Sequence, residues 1–291
     1  MGNNAKKPRK RRSEEEIIVS ELNLMDDFLF SAVMEHKEAC EFLISALLGI
    51  KVTVLEQKTQ FSIRNIENHS IIYDVLVKDI YGKLYDVEIN TGSGGCPEKR
   101  VRYYTSAIDW AFFDKGGDYK DIPEMYLLYI TEEDPFKFGS NHYEVEQSLG
   151  KYSRNRKSKK KYDNGVHVHY FNLEVKDKDN RELTALLQYL GKSDPNNTKF
   201  GALSEKVYYY KVHEEGVRYM CKQLEEYVIK ERNKGEIKGR AEGLAEGKAE
   251  GKLESKIEMV TNMLNLGYKK SEALKCAGID AKTYNKYLAK Q

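Results

Sequence analysis

The stretch IIYDVLVKDIYGKLYDVEIN, residues 71–90, constrains the fold of this 291-residue chain more than any other segment. Two runs, Ile71–Lys78 and Lys83–Asn90, alternate with period two and are rich in β-branched and aromatic residues, as half-buried strands are. Between them, Ile80-Tyr81-Gly82 fits a three-residue loop with Gly82 in the left-handed position. That hairpin sets residue 79 opposite 83, and therefore Asp74 opposite Glu88. Asn90 shares the face of Glu88, two residues along. The other face carries Val75, Val77, Tyr85, Val87 and Ile89, an apolar surface that must pack on something. Two carboxylates meeting across a sheet repel, and need a shared cation, a shared proton or solvent. Hard divalent ions such as magnesium take one or two carboxylates and keep waters. The plainer alternative is two solvated acids on an open sheet face. Asp86 lies on the same face and is a candidate further ligand, although opposite Leu76 it is farther from the centre.

The rest of the chain reads as α/β with a mixed sheet. Helical spacing runs from Leu24 to Leu48, with Gly49 as the stop. Val52–Gln57 reads as a strand, Glu98–Phe113 as a helix and Met125–Ile130 as a short apolar strand. Residues 166–175 alternate like a strand, and helices follow at 181–191 and 203–232. Thr91–Pro97 is a glycine-rich loop directly after the acidic strand, without the Lys-Ser/Thr that a phosphate-cradling loop would carry.

Local charge says more than the net charge of +2, which is the balance of 48 basic and 46 acidic residues. KKPRKRR at 6–12 belongs to a tail, residues 1–16, expected to be disordered and suited to phosphate backbones or targeting. A second basic run, residues 151–161, includes Arg154, Arg156, Lys157, Lys159 and Lys160, a candidate groove for a nucleic-acid backbone or simply a solvated loop. The four cysteines are far apart and lack CxxC spacing, which argues against structural zinc and fits reduced thiols in the cytoplasm. No apolar stretch is long enough for a membrane span, and the N-terminal charge is not followed by an apolar run like that of a secretory signal. His167 and His169 share a strand face without an evident third metal ligand and read as ordinary half-buried histidines.

Glycine recurs every fourth residue at 235, 239, 243, 247 and 251. Each helical glycine costs about 1 kcal/mol relative to alanine, so residues 233–254 read as a marginal helical linker or as a glycine-faced helix that packs on its own copy. Residues 255–291 regain helical pattern, and LGYKKSEALKCAGIDAKTYNKYL resembles the helix-turn-helix end of Hin-type DNA invertases. A small dimerisation module would show the same pattern, so homo-oligomerisation through this region is expected.

The spacing D-x13-E-x-N, with the opening LNLMDDFLFSAVM, the segments YDVLVKD and VEIN, EKRVRYYTSAIDWAFFDKGGDY and DIPEMYLLYITEEDPF, resembles the Rpn family of recombination-promoting nucleases and transposases. That family lies within the PD-(D/E)XK superfamily. The resemblance covers roughly residues 20 to 255. It implies a restriction-endonuclease-like core over residues 17–232, a mixed central sheet flanked by helices, followed by the small helical C-terminal module.

It also implies a magnesium- or manganese-dependent DNA endonuclease serving recombination, mobile DNA or defence, in which Asp74 and Glu88 hold the metal. Asn90 stands at the position where the superfamily usually has Lys and this family often Gln, and would orient a water or phosphate oxygen. In related nucleases an acid on the first helix completes the site, which makes Asp27 a candidate; a helix-dipole role is the alternative. Arg100, Arg102 and Tyr104, on the helix after the acidic strand, are candidates for holding DNA. Two other readings stay open: a fold that binds DNA or oligomerises with catalysis weakened at Asn90, and an RNase with the same site chemistry.

Overall fold

The computed structural model describes residues 12–63, 71–92, 98–113, 115–150 and 159–289. The basic residues Arg154, Arg156 and Lys157 and the segment KKPRKR lie outside the described residues. The chain divides into two units, Met1–Leu224 and Glu225–Gln291. Its strands are β1 (Val54–Ile63), β2 (Ile71–Asp79), β3 (Leu84–Asn90), β4 (Met125–Thr131), β5 (His142–Glu144), β6 (Ser148–Gly150), β7 (Lys159–Lys161) and β8 (Val166–Asn172). Its α-helices are α1 (Glu14–Glu21), α2 (Asp27–Met34), α3 (Lys37–Leu48), α4 (Glu98–Phe112), α5 (Arg181–Leu190), α6 (Gly201–Val212), α7 (Glu214–Asn265), α8 (Lys270–Ala277) and α9 (Ala281–Leu288).

The first unit is built on a six-stranded sheet in the order β1-β2-β3-β4-β8-β5, with β6 and β7 pairing separately. β1, β2 and β3 run antiparallel, β3, β4 and β8 parallel, and β5 antiparallel again. The architecture is therefore the mixed-sheet α/β core expected. Parallel neighbours need a crossover connection, and α4 supplies it between β3 and β4.

The hairpin has the register read from the sequence: Val75 pairs with Val87, Leu76 with Asp86 and Val77 with Tyr85. Gly82 takes φ +83°, a conformation glycine adopts without steric cost. Val75, Val77, Tyr85 and Val87 bury against helices α1, α2, α3, α5 and α6 on one face of the sheet. The other face is covered by α4, whose Tyr104 and Ile108 pack on Tyr73, Leu76, Leu84, Leu127 and Tyr129. Each fully buried Val, Leu or Ile contributes about 1.5 to 3 kcal/mol, and these two layers hold the sheet rigid on both sides.

Three elements differ from the sequence pattern. The helix expected over residues 24–48 is two helices, because His36 is extended and Cys40 Sγ donates to the carbonyl of Met34, which α2 leaves unpaired. The corner is tied to α6 by a 2.9 Å bond between His36 Nε2 and the Tyr210 hydroxyl. The helix expected over 203–232 also breaks, at the extended residue His213. There α7 starts so close to α6 that a Cβ on Gly216 would run into the Tyr209 carbonyl. Finally, Glu14-Glu15-Glu16, expected in the tail, form the first turn of α1, closed by a reciprocal capping box between Ser13 and Glu16.

In the second unit, the glycines from 235 to 251 lie within α7, and an added Cβ at any of them would meet nothing within 4 Å. The end of α7 packs through Ile257 and Val260 on Ala273, Leu274 and Ala277 of α8 and on Tyr284 of α9. Gly278 turns the chain at φ +59° between α8 and α9, and Asp280 caps α9 by accepting from Thr283 N. Among the described residues no helix is long and apolar enough to cross a membrane.

Candidate active site

The backbone pairing recorded between β2 and β3 begins at Val75–Val87. One step further out, two carboxylates take over the ladder. The Asp74 N–H donates to Glu88 Oε1 at 3.1 Å, and the Ile89 N–H donates to Asp74 Oδ2 at 3.0 Å. Each acid is thereby pinned by the other strand's backbone.

The strands also change phase here. Ile71 and Tyr73 join the α4 face, whereas Val75 and Val77 join the opposite face. A strict alternation would put all four on one side. Across the pair in β1, Phe61 likewise packs on the α4 face, and its neighbour Gln60 sits at φ +49°. A positive φ is costly for a residue with a Cβ, and such strain gathers at functional sites. The Gln60 amide uses that conformation to reach both Ser31 Oγ on α2, at 3.3 Å, and Asp74.

The acids are crowded. Glu88 is only 2 % exposed and Asp86 is fully buried. Burial, then the charge of Asp74, pushes Glu88 up to about 8. Burial pushes Asp74 up to about 6; the Ile89 N–H opposes this, and the charge of Asp27 adds to it. Asp27, at the first turn of α2, is itself raised by burial and by Asp26. Asp86 is raised well above its ordinary range, by burial and then by Glu88. Neither of its oxygens has a partner usable by an ionised carboxylate. It lies against Glu88 and bonds to it once one of the two acids carries a proton.

A cation leans on this cluster. Arg100 Nη2 sits 3.3 Å from Glu88 Oε2 and donates to the Tyr104 hydroxyl at 2.7 Å. Its guanidinium also lies over the Tyr104 ring, 4.8 Å from the centroid, a geometry that orients it. Tyr104 is held in turn by the Tyr73 hydroxyl, which donates to its carbonyl at 3.0 Å. With 42 % of its side chain exposed, Arg100 reaches from the buried acid to solvent.

The structure thus brings together Asp74, Glu88, Asp27, Arg100 and Tyr104. Asn90 lies two residues beyond Glu88, with its Oδ1 accepting from Gly92 N at 2.9 Å. Arg102 is exposed on another face of α4. Lys159 and Lys160 are exposed on β7, in the separate two-stranded sheet. Sequence reasoning missed Gln60, because nothing in a strand-like run announces a positive φ. Asp86 pairs opposite Leu76 as expected, and its contact with Glu88 follows from their i, i+2 spacing.

The matched family model is PD-(D/E)XK nuclease family transposase, over residues 25–238. The chain belongs to this family. No curated protein and no solved structure matches it. Membership gives the fold a nuclease role in mobile DNA.

The donor set suits the divalent ion that such nucleases use. Among the described residues no group of three or more His, Cys, Asp or Glu converges to hold a metal. Two carboxylates do converge, however, which is the number magnesium accepts while keeping waters. All the donors are oxygen, as hard cations require. Acids held above their ordinary range by burial and by one another are what an added positive charge would relieve.

Proposed function

We propose that this PD-(D/E)XK family member is a metal-dependent DNA endonuclease acting in recombination, mobile DNA or defence. The observation that carries the reading is the pair of half-buried Asp74 and buried Glu88, each acid fixed by the other strand's N–H and with the Arg100 guanidinium at its mouth. In this reading Asp74 and Glu88 hold magnesium or manganese. When bound, such an ion lowers the pKa of a water and offsets charge on a phosphodiester. The protein's own groups do the positioning. Gln60 fixes Asp74, and Asp86 backs Glu88. Asp27 adds negative charge beside Asp74. Arg100 takes the scissile phosphate with a guanidinium whose orientation Tyr104 already sets. The Asn90 amide orients a water or a phosphate oxygen.

A second reading, a DNA-binding or oligomerising protein with weakened catalysis, has one observation in its favour. Asn90 brings no charge, and its Oδ1 is engaged by Gly92 N. Plasmid incubated with pure protein, with and without magnesium, separates the two. Magnesium-dependent nicking that disappears in Asp74→Ala and Glu88→Ala supports the nuclease. Retention of plasmid without nicking in either metal supports the second reading.

The C-terminal unit is proposed to add DNA affinity. α8, the turn at Gly278 and α9 form a helix-turn-helix arrangement in which Lys282, Asn285 and Lys286 of α9 are exposed. Truncation near Gly235 is then expected to lower DNA affinity with little change in oligomeric state. A dimerisation module instead predicts a shift to monomer, with affinity falling through lost multivalency. Light scattering and a salt-titrated binding assay on the same protein distinguish them.

A further inference from the structure

α4 presents two faces with different work. Tyr104 and Ile108 face the sheet. Lys99, Arg102, Tyr103, Ser106 and Trp110 recur at i, i+3, i+4, i+7 and i+11, and so form one stripe along the helix. All five are exposed. Trp110 is 75 % exposed, and just past the helix end Phe113 stacks on Tyr119, itself 82 % exposed, with ring centroids 5.7 Å apart. A single exposed aromatic is ordinary. Here a basic head and an aromatic tail share one helix face, and Arg100, within the same turn as Lys99, touches Glu88.

We infer that this stripe is a stacking platform for an unpaired strand of DNA leaving the cleavage site. The inference rests on the nuclease reading for its substrate class. Lys99 and Arg102 match the charge of the sugar-phosphate backbone, and Tyr103 and Trp110 offer ring faces to bases. A positive track interleaved with aromatics is how proteins hold single strands without reading sequence. The lengths agree. Seven residues separate Tyr103 from Trp110, about 10 Å along the helix axis. That spans roughly three stacked nucleotides at about 3.4 Å each. A paired duplex hides its ring faces in its own stack, so the aromatic tail selects strands that are already open. The substrate would then carry a flap, gap or melted segment a few nucleotides from the cut.

Trp110 is the one tryptophan in the sequence, so tryptophan emission, excited at wavelengths that tyrosine does not absorb, reports on this surface alone. The full-length protein in EDTA is titrated with dT20, with a blunt duplex of the same length and with rU20. The expected result is saturable, salt-sensitive quenching by dT20 and much weaker quenching by the duplex. Tyr103→Ala and Trp110→Ala, followed by anisotropy of labelled dT20, are expected to weaken binding about five- to a hundredfold each. Duplex affinity and melting temperature should be unchanged, because neither ring builds the core.

Equal quenching by duplex and dT20, or wild-type dT20 affinity in both variants, overturns the proposal. A preference for rU20 over dT20 overturns its assignment to DNA. A concentration-dependent change in emission without nucleic acid, with doubled mass, would give the stripe to a second copy of the chain and overturn it too. Because binding is read without metal, failure of the nuclease reading shows separately, as selective dT20 quenching by a protein that never nicks plasmid.

Discussion

At the closed end of the β2–β3 hairpin, Asp79 is almost fully buried and fully served. It accepts from Tyr81 N at 2.8 Å, from Lys83 N at 2.9 Å and from the Tyr85 hydroxyl at 3.0 Å. At the open end, Asp86 and Glu88 are also buried and Asp74 is half-buried, but the three crowd one another. Two of them are raised to about 6 and about 8, and the third has no bonding partner for its ionised form. The loop at Asp134 repeats the first pattern. Although burial raises that carboxyl, donors from Gly139 N, Phe136 N and the Tyr143 hydroxyl bring it below its usual range. A buried acid that serves the fold is surrounded by donors. In the function proposed, the acids kept for a ligand are instead crowded by one another, and the rest of the sheet holds them there.

The sharpest break of this contrast is to swap the losses. Glu88→Ala or Asp74→Ala is expected to cut plasmid nicking by more than a hundredfold, since even outer positions of metal sites cost about ten- to a hundredfold. The metal-free melting temperature should hold or rise, because repulsion is relieved. Asp79→Ala is expected to do the reverse. It strands two backbone N–H groups and a tyrosine hydroxyl, costing about 2 to 4 kcal/mol in urea unfolding, while nicking per folded molecule stays at wild type. If both substitutions hit stability alike, the two ends do not differ in kind.

The pH dependence is the next largest effect. The folded-state values of Asp74 and Glu88 lie above their ordinary values of 3.8 and 4.5. The native state therefore holds protons that the unfolded chain releases, and their contribution to stability is present below about pH 4 and lost as pH rises through 6 and then 8. Metal-free wild type should lose melting temperature relative to Glu88→Gln across that window. Magnesium should restore it more at pH 8 than at pH 5, since protons and the ion compete. A flat difference between the two proteins would remove the crowding.

Two smaller tests tune the open end. Asn90→Lys adds a positive charge beside the acids and is expected to raise the nicking rate several-fold and to lower the apparent pKa of the rate profile. A lower rate would mean that the amide itself is needed. Gln60→Gly relieves a positive φ that costs about 1 to 3 kcal/mol, but removes the amide that reaches Asp74. Stability is expected to rise slightly by thermal melting while nicking falls a few-fold; a fall in both would show that the amide matters more to the fold than to Asp74.

What the sequence disclosed about this region follows from how local each signal is. The hairpin register was legible because its turn is three residues long and Gly82 permits one geometry. The apolar face of Val75, Val77, Tyr85 and Val87 was legible because alternation is a short-range rule. The phase change at Gln60 and Asp74 was not, since it depends on a positive φ at Gln60 that alternation does not announce. The depth of Asp86 was hidden for another reason: how far a residue lies from water depends on α4, which follows β3 in the chain. The break at His36 is tied to Tyr210, far along the chain, and the break at His213 to the close approach of Gly216 to the Tyr209 carbonyl, neither of which helical spacing announces.

The glycine row of α7 carries a consequence for any partner that would lie on it. Glycines four residues apart trace the i±4 row of an α-helix, which is inclined to the helix axis. Helices that mesh along such rows cross at about −50°. A second α7 seated in this furrow would therefore straddle the first like the arms of an X, close at the glycines and diverging on either side, and the ends of the two helices would point apart.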